Sequence, residues 1–469
     1  MWLIIAHFLI ITGLSIRVLL RPNRDPASRV AWILFIMALP YVGALTYLML
    51  GEVRPNKGQA HPQPLKDALT PISSPPSDTG IAPISSAGFS IGKSISGFNP
   101  VGGNTGHLLD DSNATIDALV ANIDAALEHV HLLFYIWLAD TNGCKVVAAL
   151  VRAAQRGVTC RVIVDDLGSR NFIRSEHWQT MNKAGVQLAR AQPIGNILVR
   201  ILKGRIDVRN HRKIVVIDNR ITYCGSQNCA DPEFAIKAKY APWVDAVIRF
   251  EGPIARQNQL LFLTDWLICT NEDCRELAQQ PMPLPKPGFI AQVIGTGPEN
   301  HYSATPELFA TLMFSAQQEL VITTPYYVPD DFMQSALCSS ARRGVSTTII
   351  LPARNDSWFV GAASRSHYSE LLDAGVRIYE YTGGLLHAKT LTVDDKTTLI
   401  GSANMDRRSF ELNFENNILF QDEALSQAIR ERQASYIRQS KPIEQTDVDA
   451  WSALYRLRNN ILAILSPVL

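Results

Sequence analysis

A surplus of charge of either sign is missing from this chain. Its 44 basic and 43 acidic residues leave a net charge of +1 over 469 residues. Without a global basic field there is no general means of gathering nucleic acid, so no nucleic-acid partner is expected. Metal-ligand spacing is missing among the seven cysteines as well. Their odd number leaves at least one thiol unpaired. Cys224 and Cys229 read as packing residues. Cys269 and Cys274 would bridge a short loop in an oxidising compartment, with buried free thiols as the default. A basic start is missing from the first apolar segment, which disfavours a cleaved signal peptide.

Long apolar runs are present. Trp2 to Leu20 is apolar apart from His7 and Arg17, and Val30 to Leu50 is an unbroken run containing only Pro40 as a breaker. Each is long enough to cross a bilayer. Residues 1–54 are therefore expected to form a two-helix transmembrane hairpin, with helices at about 2–20 and 30–50. Arg17, Arg21, Arg24 and Arg29 lie between or beside the two runs, against Arg54, Lys57 and Lys66 after them. That count leans toward a cytoplasmic hairpin loop without deciding the face. Residues 55–108 are rich in Pro, Ser and Gly and read as a linker. At the other end, 441–469 reads as an amphipathic helix carrying Arg456 and Arg458. It would lie in a membrane surface or pack on the rest of the chain.

The chemistry is concentrated in one pattern that occurs twice. His211-x-Lys213-x-x-x-x-Asp218 is followed by Gly225-Ser226-x-Asn228, and His387-x-Lys389-x-x-x-x-Asp394 by Gly401-Ser402-x-Asn404. One such match in a chain this long arises by chance in roughly a few per cent of cases; two with the same sequel do not. His211 to Ile217 and His387 to Val393 read as strands, on which residues two apart share a face. A neutral imidazole attacks phosphorus and an imidazolium protonates a leaving oxygen. Lys213 and Lys389 supply point charges for phosphate oxygens, and Asn228 and Asn404 amide donors. Gly-Ser suits a tight turn that brings Ser226 or Ser402 close. Asp218 and Asp394 complete the repeated motif, though each also begins a turn. A histidine needs an orienting partner on its second nitrogen. Each half offers an acid downstream, Asp245 and Glu415, and these two are expected to hold the histidines. The histidine-to-acid spacing is 34 in one half and 28 in the other, which fits an insertion near Pro232–Pro242.

The repeat extends beyond the motif. Gly157-Val158 and Gly185-Val186 recur as Gly344-Val345 and Gly375-Val376, and Phe134-Tyr135-Ile136-Trp137 corresponds to Pro325-Tyr326-Tyr327-Val328. Helical patterns alternating with short β-branched strands predict an α/β sandwich with a largely parallel sheet. A long repeat present twice predicts a duplicated domain, with halves at 109–280 and 281–440.

The paired motifs resemble the phospholipase D superfamily. Arg24-Asp-Pro-Ala-Ser-Arg-Val-Ala-Trp-Ile-Leu, Thr324-Pro-Tyr-Tyr-Val-Pro329, Gly383-Gly-Leu-Leu-His387, Asp406-Arg-Arg-Ser409, Asn413-Phe-Glu415 and the terminal Leu465-Ser-Pro-Val-Leu look like bacterial cardiolipin synthases. The longer linker and the Cys269-to-Cys274 segment depart from that pattern. The resemblance implies halves packed about a pseudo-twofold axis with the site between them, a phosphohistidine intermediate, no metal and no cofactor. It implies His211 as nucleophile and His387 as acid, then base. It implies anionic membrane lipids as partners, with phosphatidylglycerol converted to cardiolipin and glycerol at a bacterial cell membrane. A phospholipase D-type hydrolase and a catalytically idle membrane scaffold are the alternatives.

Overall fold

The computed structural model describes residues 2–21, 26–51, 80–195, 207–274, 276–277, 287–298 and 303–465. Residues 55–79 of the expected linker, and 466–469 of the expected C-terminal helix, lie outside the described residues.

Fifteen strands form one continuous sheet, and its order shows the duplication. From one flank inward run 187–191, 159–165, 129–134, 214–217, 221–225, 247–251 and 101–108. The next strands repeat that series in reverse: 289–296, 415–421, 397–401, 390–393, 319–323, 346–352 and 377–381. The seam is the antiparallel pair 101–108 with 289–296. Two α/β halves thus meet as a pseudo-twofold pair. Only the three outer strands of each repeated series run parallel. The sheet is therefore mixed rather than largely parallel, because each motif strand returns through a hairpin.

Side chains alternate between two faces along each strand. Leu132 and Val215 join the core under helices Ser112–Asp124 and Thr141–Gln155. Leu133 and Val216 face the opposite core, which runs unbroken through both halves beneath helices Ile254–Thr270 and Glu423–Arg438. The four Gly-Val turns behave alike. Gly157, Gly185, Gly344 and Gly375 sit at φ of 89°, 93°, 90° and 92°, a left-handed conformation that glycine adopts without steric cost.

Three expectations are corrected. The supposed linker is folded from residue 80 onward. Helix Pro83–Ser96 buries Phe89 and Ile95 in the second half's core, and strand Val101–Leu108 is the seam itself. The C-terminal segment begins as a strand, Ser440–Ile443, paired with Arg377–Tyr381. Its helix, Ala453–Leu465, packs against helix Trp358–Ser366. The second N-terminal run is broken where proline cannot continue a helix: it forms Pro26–Ala38 and Pro40–Leu50. Trp32 and Tyr47 then stack edge to face at 5.2 Å. Among the described residues no helix is long and apolar enough to cross a membrane. All seven cysteines, Cys269 and Cys274 included, are free thiols.

Candidate active site

Each motif leaves its strand before reaching its histidine. The regular ladders begin at Ile214 and Thr390, later than the strands expected from the sequence. His211 and His387 instead join the opposite half. The His211 N–H donates to the Phe414 carbonyl at 2.9 Å, and the His387 N–H to the Val244 carbonyl at 2.8 Å. Just before each histidine the backbone also pairs with the opposite half, through a single bridge of Asn210 with Phe414 and through Leu385–Leu386 with Trp243–Val244.

This crossing decides which acid meets which histidine. The His211 Nδ1 lies 3.0 and 2.9 Å from the two Glu415 oxygens. The His387 Nδ1 lies 2.6 Å from Asp245 Oδ1. Each histidine is therefore held by the acid of the other half. A carboxylate accepts only, so Nδ1 carries the proton and Nε2 is left with its lone pair.

The Gly-Ser pairs brace these acids. A Cβ on Gly225 would sit 2.1 Å from the Ala246 carbonyl oxygen, and one on Gly401 2.3 Å from that of Asn416. Glycine is thus required for close approach of the acid-bearing strand, rather than for a turn. Ser226 then donates to Asp245 at 2.6 Å and Ser402 to Glu415 at 2.5 Å. Ser409 and Asn413 add donors to Glu415 at 2.9 and 3.4 Å.

Burial sets the charge states. It pulls the imidazoles of His211 and His387 down to about 4; the carboxylates oppose this and the two lysines reinforce it. Burial also pulls Lys213 down to about 8 and Lys389 to about 7, the latter helped by Lys213. Burial alone would raise Asp245 and Glu415, but each is held below the usual carboxylate range by its histidine and a lysine. Near pH 7 the site holds two neutral imidazoles, two carboxylates and lysines close to titration. Groups from both halves act on one another, so both motifs face a common centre. Each lysine also donates to the carbonyl of its own histidine, at 2.8 and 2.6 Å.

The asparagines are buried nearby. Asn228 Oδ1 accepts from the Ile136 N–H at 3.2 Å. Asn404 Oδ1 has no partner among the described residues.

Asp218 and Asp394 are not brought to this centre, which corrects their assignment to the catalytic set. They end the strands, seven residues from the histidines, or roughly 20 Å along an extended chain. Asp218 accepts from the N–H groups of Leu127, Glu128 and His129, each at 2.9 Å. Asp394 does the same for Gln317, Gln318 and Glu319 at 2.8–3.0 Å. Both sit at positive φ, which aspartate tolerates better than most residues. Asp218→Ala should therefore lower stability by about 1–3 kcal/mol and leave turnover per folded molecule unchanged. Denaturant unfolding beside an activity assay checks both; selective loss of turnover at full stability would restore a catalytic role.

Several neighbours went unrecognised as site residues. Tyr135 stands edge-on to His211 with ring centroids 5.0 Å apart. Its repeat partner Tyr326 donates to Asp356 at 2.6 Å. Trp243 lies 4.7 Å from the His387 ring and stacks on Phe234 at 3.9 Å. Arg212, between the motif His and Lys, is buried in a two-pronged pair with Asp265 at 2.7 and 2.8 Å. The repeated Tyr in the Phe-Tyr-Ile-Trp and Pro-Tyr-Tyr-Val segments was the available signal for Tyr135 and Tyr326. Arg212 had none. Among the described residues no cluster of three or more His, Cys, Asp or Glu side chains is arranged to hold a metal ion.

Comparison with known proteins places this geometry. Residues 119–242 and 309–436 each match a cardiolipin synthase, phospholipase D-like domain, so the two matches fall on the two halves. The chain belongs to the cardiolipin synthase family of the phospholipase D superfamily. Residues 9–52 match a phospholipase D-nuclease N-terminal domain. Cardiolipin synthase A of Yersinia pseudotuberculosis serotype O:1b is 34% identical over 100% of this chain and 98% of its own length. The Yersinia pestis protein of that name gives the same values. Phosphatidylserine synthase of Haemophilus influenzae shares the fold at a TM-score of 0.59 and 15% identity, covering 82% of this chain and all of its own. As a member of this family the chain is a phospholipid phosphatidyltransferase.

Proposed function

We propose that the chain joins two phosphatidylglycerol molecules into cardiolipin, releasing glycerol. The observation that carries this reading is the pair of buried histidines, each held through Nδ1 by a carboxylate of the opposite half. His211 Nε2 attacks the phosphorus of the first lipid, and the bond from phosphorus to the headgroup glycerol oxygen breaks. His387 gives that oxygen a proton. The phosphodiester brings one negative charge into a dry site, which raises the affinity of His387 for the proton it must carry. The terminal hydroxyl of a second phosphatidylglycerol then attacks phosphorus, the bond from phosphorus to His211 Nε2 breaks, and His387 takes the hydroxyl proton, which restores both histidines. Lys213 and Lys389 face the phosphate charge, joined by the amides of Asn228 and Asn404, and act most strongly where water is excluded. One phosphodiester replaces another, so the exchange is close to even in energy and calls for no nucleotide.

The N-terminal helices would attach the chain to the bacterial cytoplasmic membrane. In support, Phe8, Leu9, Leu20, Leu34, Val42 and Leu45 are all exposed, far more apolar surface than water favours.

The test is lipid analysis after the detergent-solubilised protein has been given phosphatidylglycerol alone. Cardiolipin and free glycerol are expected, with neither formed by His211→Ala. Phosphatidic acid without cardiolipin would make water the acceptor and replace the transferase with a hydrolase.

A further inference from the structure

The helix Ala453–Leu465 has two dissimilar faces. One packs on helix Trp358–Ser366 and buries Asn459 to 1% exposure. The other carries Leu454, Leu457, Ile461 and Ile464, between 47 and 76% exposed. Their spacing of three, four and three residues makes one apolar stripe. The helix beneath begins with Trp358, itself 71% exposed.

This apolar surface adjoins the rim of the active site. Two residues before Trp358, the buried Asp356 carboxylate accepts from Tyr326 and pairs with Lys237. Lys237 belongs to the inserted segment of the first half, so the ion pair brings its exposed neighbour Ile236 to the same rim. Asp356 is near enough to Lys389 to stabilise its charge. Phe234, on the same segment, stacks on the Trp243 that lies against His387. Cations border the patch: Arg456 and Arg458 on the C-terminal helix, Lys239 and Arg354 on the rim, all exposed. Aliphatic and indole side chains flanked by basic groups are the composition that enters the headgroup layer of an anionic bilayer.

We propose that this rim is a second lipid-contact surface, separate from the N-terminal helices, which seats the mouth of the active site on an anionic phospholipid bilayer. The inference rests on reading the substrate as a bilayer phospholipid. A lipid leaving the leaflet would then enter the site without its acyl chains crossing water, and the acceptor lipid would follow the same route.

The test pairs Leu457→Glu with Ile461→Glu in the full chain, reconstituted into phosphatidylglycerol vesicles. Glycerol release is the readout, since it is common to transfer and hydrolysis; a failure of the transferase reading would appear separately, as phosphatidic acid among the products. The KM for vesicle lipid should rise about tenfold or more, while kcat and KM for a short-chain, monomeric phosphatidylglycerol stay unchanged. The N-terminal helices still hold the variant on the vesicle, so the loss reports seating. The milder pair Leu457→Ser and Ile461→Ser should shift KM in the same direction and guards against misfolding. Unchanged kinetics on vesicles would overturn the proposal, as would equal losses on monomeric substrate. A fall in particle mass by light scattering would make the stripe a contact between copies of the chain and overturn it too.

Discussion

His211→Ala is expected to abolish turnover, by on the order of 10⁵-fold, with every phosphatidyl donor. His387→Ala should lose as much on phosphatidylglycerol and yet differ in what remains. The glycerol alkoxide is a poor leaving group and needs a proton as its bond to phosphorus breaks. A nitrophenolate does not. With a phosphatidyl nitrophenyl ester, His387→Ala should release nitrophenol in a single burst and then stop, because no base remains to activate the acceptor hydroxyl. The protein should gain the mass of one phosphatidyl group, read by mass spectrometry of rapidly denatured samples at neutral pH. His211→Ala should show neither burst nor adduct. An adduct in His211→Ala and none in His387→Ala would exchange the two roles. Near-normal turnover in either variant would end the two-histidine mechanism. Both imidazoles are neutral near pH 7, drawn down to about 4 by burial. This suits the nucleophile as it stands. It leaves the acid dependent on the charge that the substrate brings.

The parts of this site visible in the sequence are those that local chemistry repeats. His, Lys, Ser and Asn recur at fixed spacing because each half builds the same hairpin, and the Gly-Val turns recur because each needs the same left-handed residue. Two carboxylates were identifiable as partners of the two histidines. Their exchange between halves was not, because it depends on how the sheet closes at the seam. The seam was hidden too. Helix Pro83–Ser96 carries Phe89, Ile91 and Ile95 diluted by serine and glycine, so its composition resembles a linker. Gly88 lies where a Cβ would come within 2.7 Å of Leu312, so it permits packing where it had suggested flexibility. Asp218 and Asp394 mislead in the opposite way. They repeat as faithfully as the histidines, because closing the same hairpin onto the preceding strand demands the same cap each time. Repetition marks what both halves need, whether for folding or for catalysis.

The crossed acids permit a test that a site built within one half would fail. Glu415→Gln should reduce turnover by on the order of 10³- to 10⁴-fold, the scale seen when an acid that fixes a histidine tautomer becomes an amide. Glutamine can donate as well as accept. Turned toward Nδ1, its N–H would favour the tautomer that places the proton on Nε2, where the attacking lone pair must be. Loss of the negative charge would also lower the His211 pKa further, since Glu415 now raises it; a shortage of neutral imidazole is therefore not the cause. The defect should fall on adduct formation and persist with the nitrophenyl donor. Asp245→Asn should be comparably slow on phosphatidylglycerol, but its nitrophenol burst should survive, because Asp245 serves the acid. Each phenotype thus belongs to the histidine of the other half. If Asp245→Asn lost the burst and Glu415→Gln kept it, the acids would serve the histidines of their own halves, or the histidine roles would be reversed; the burst in the two histidine variants separates these outcomes. In the crossed arrangement one half alone holds a histidine with no carboxylate to orient it, so the chemistry begins only when the seam has closed.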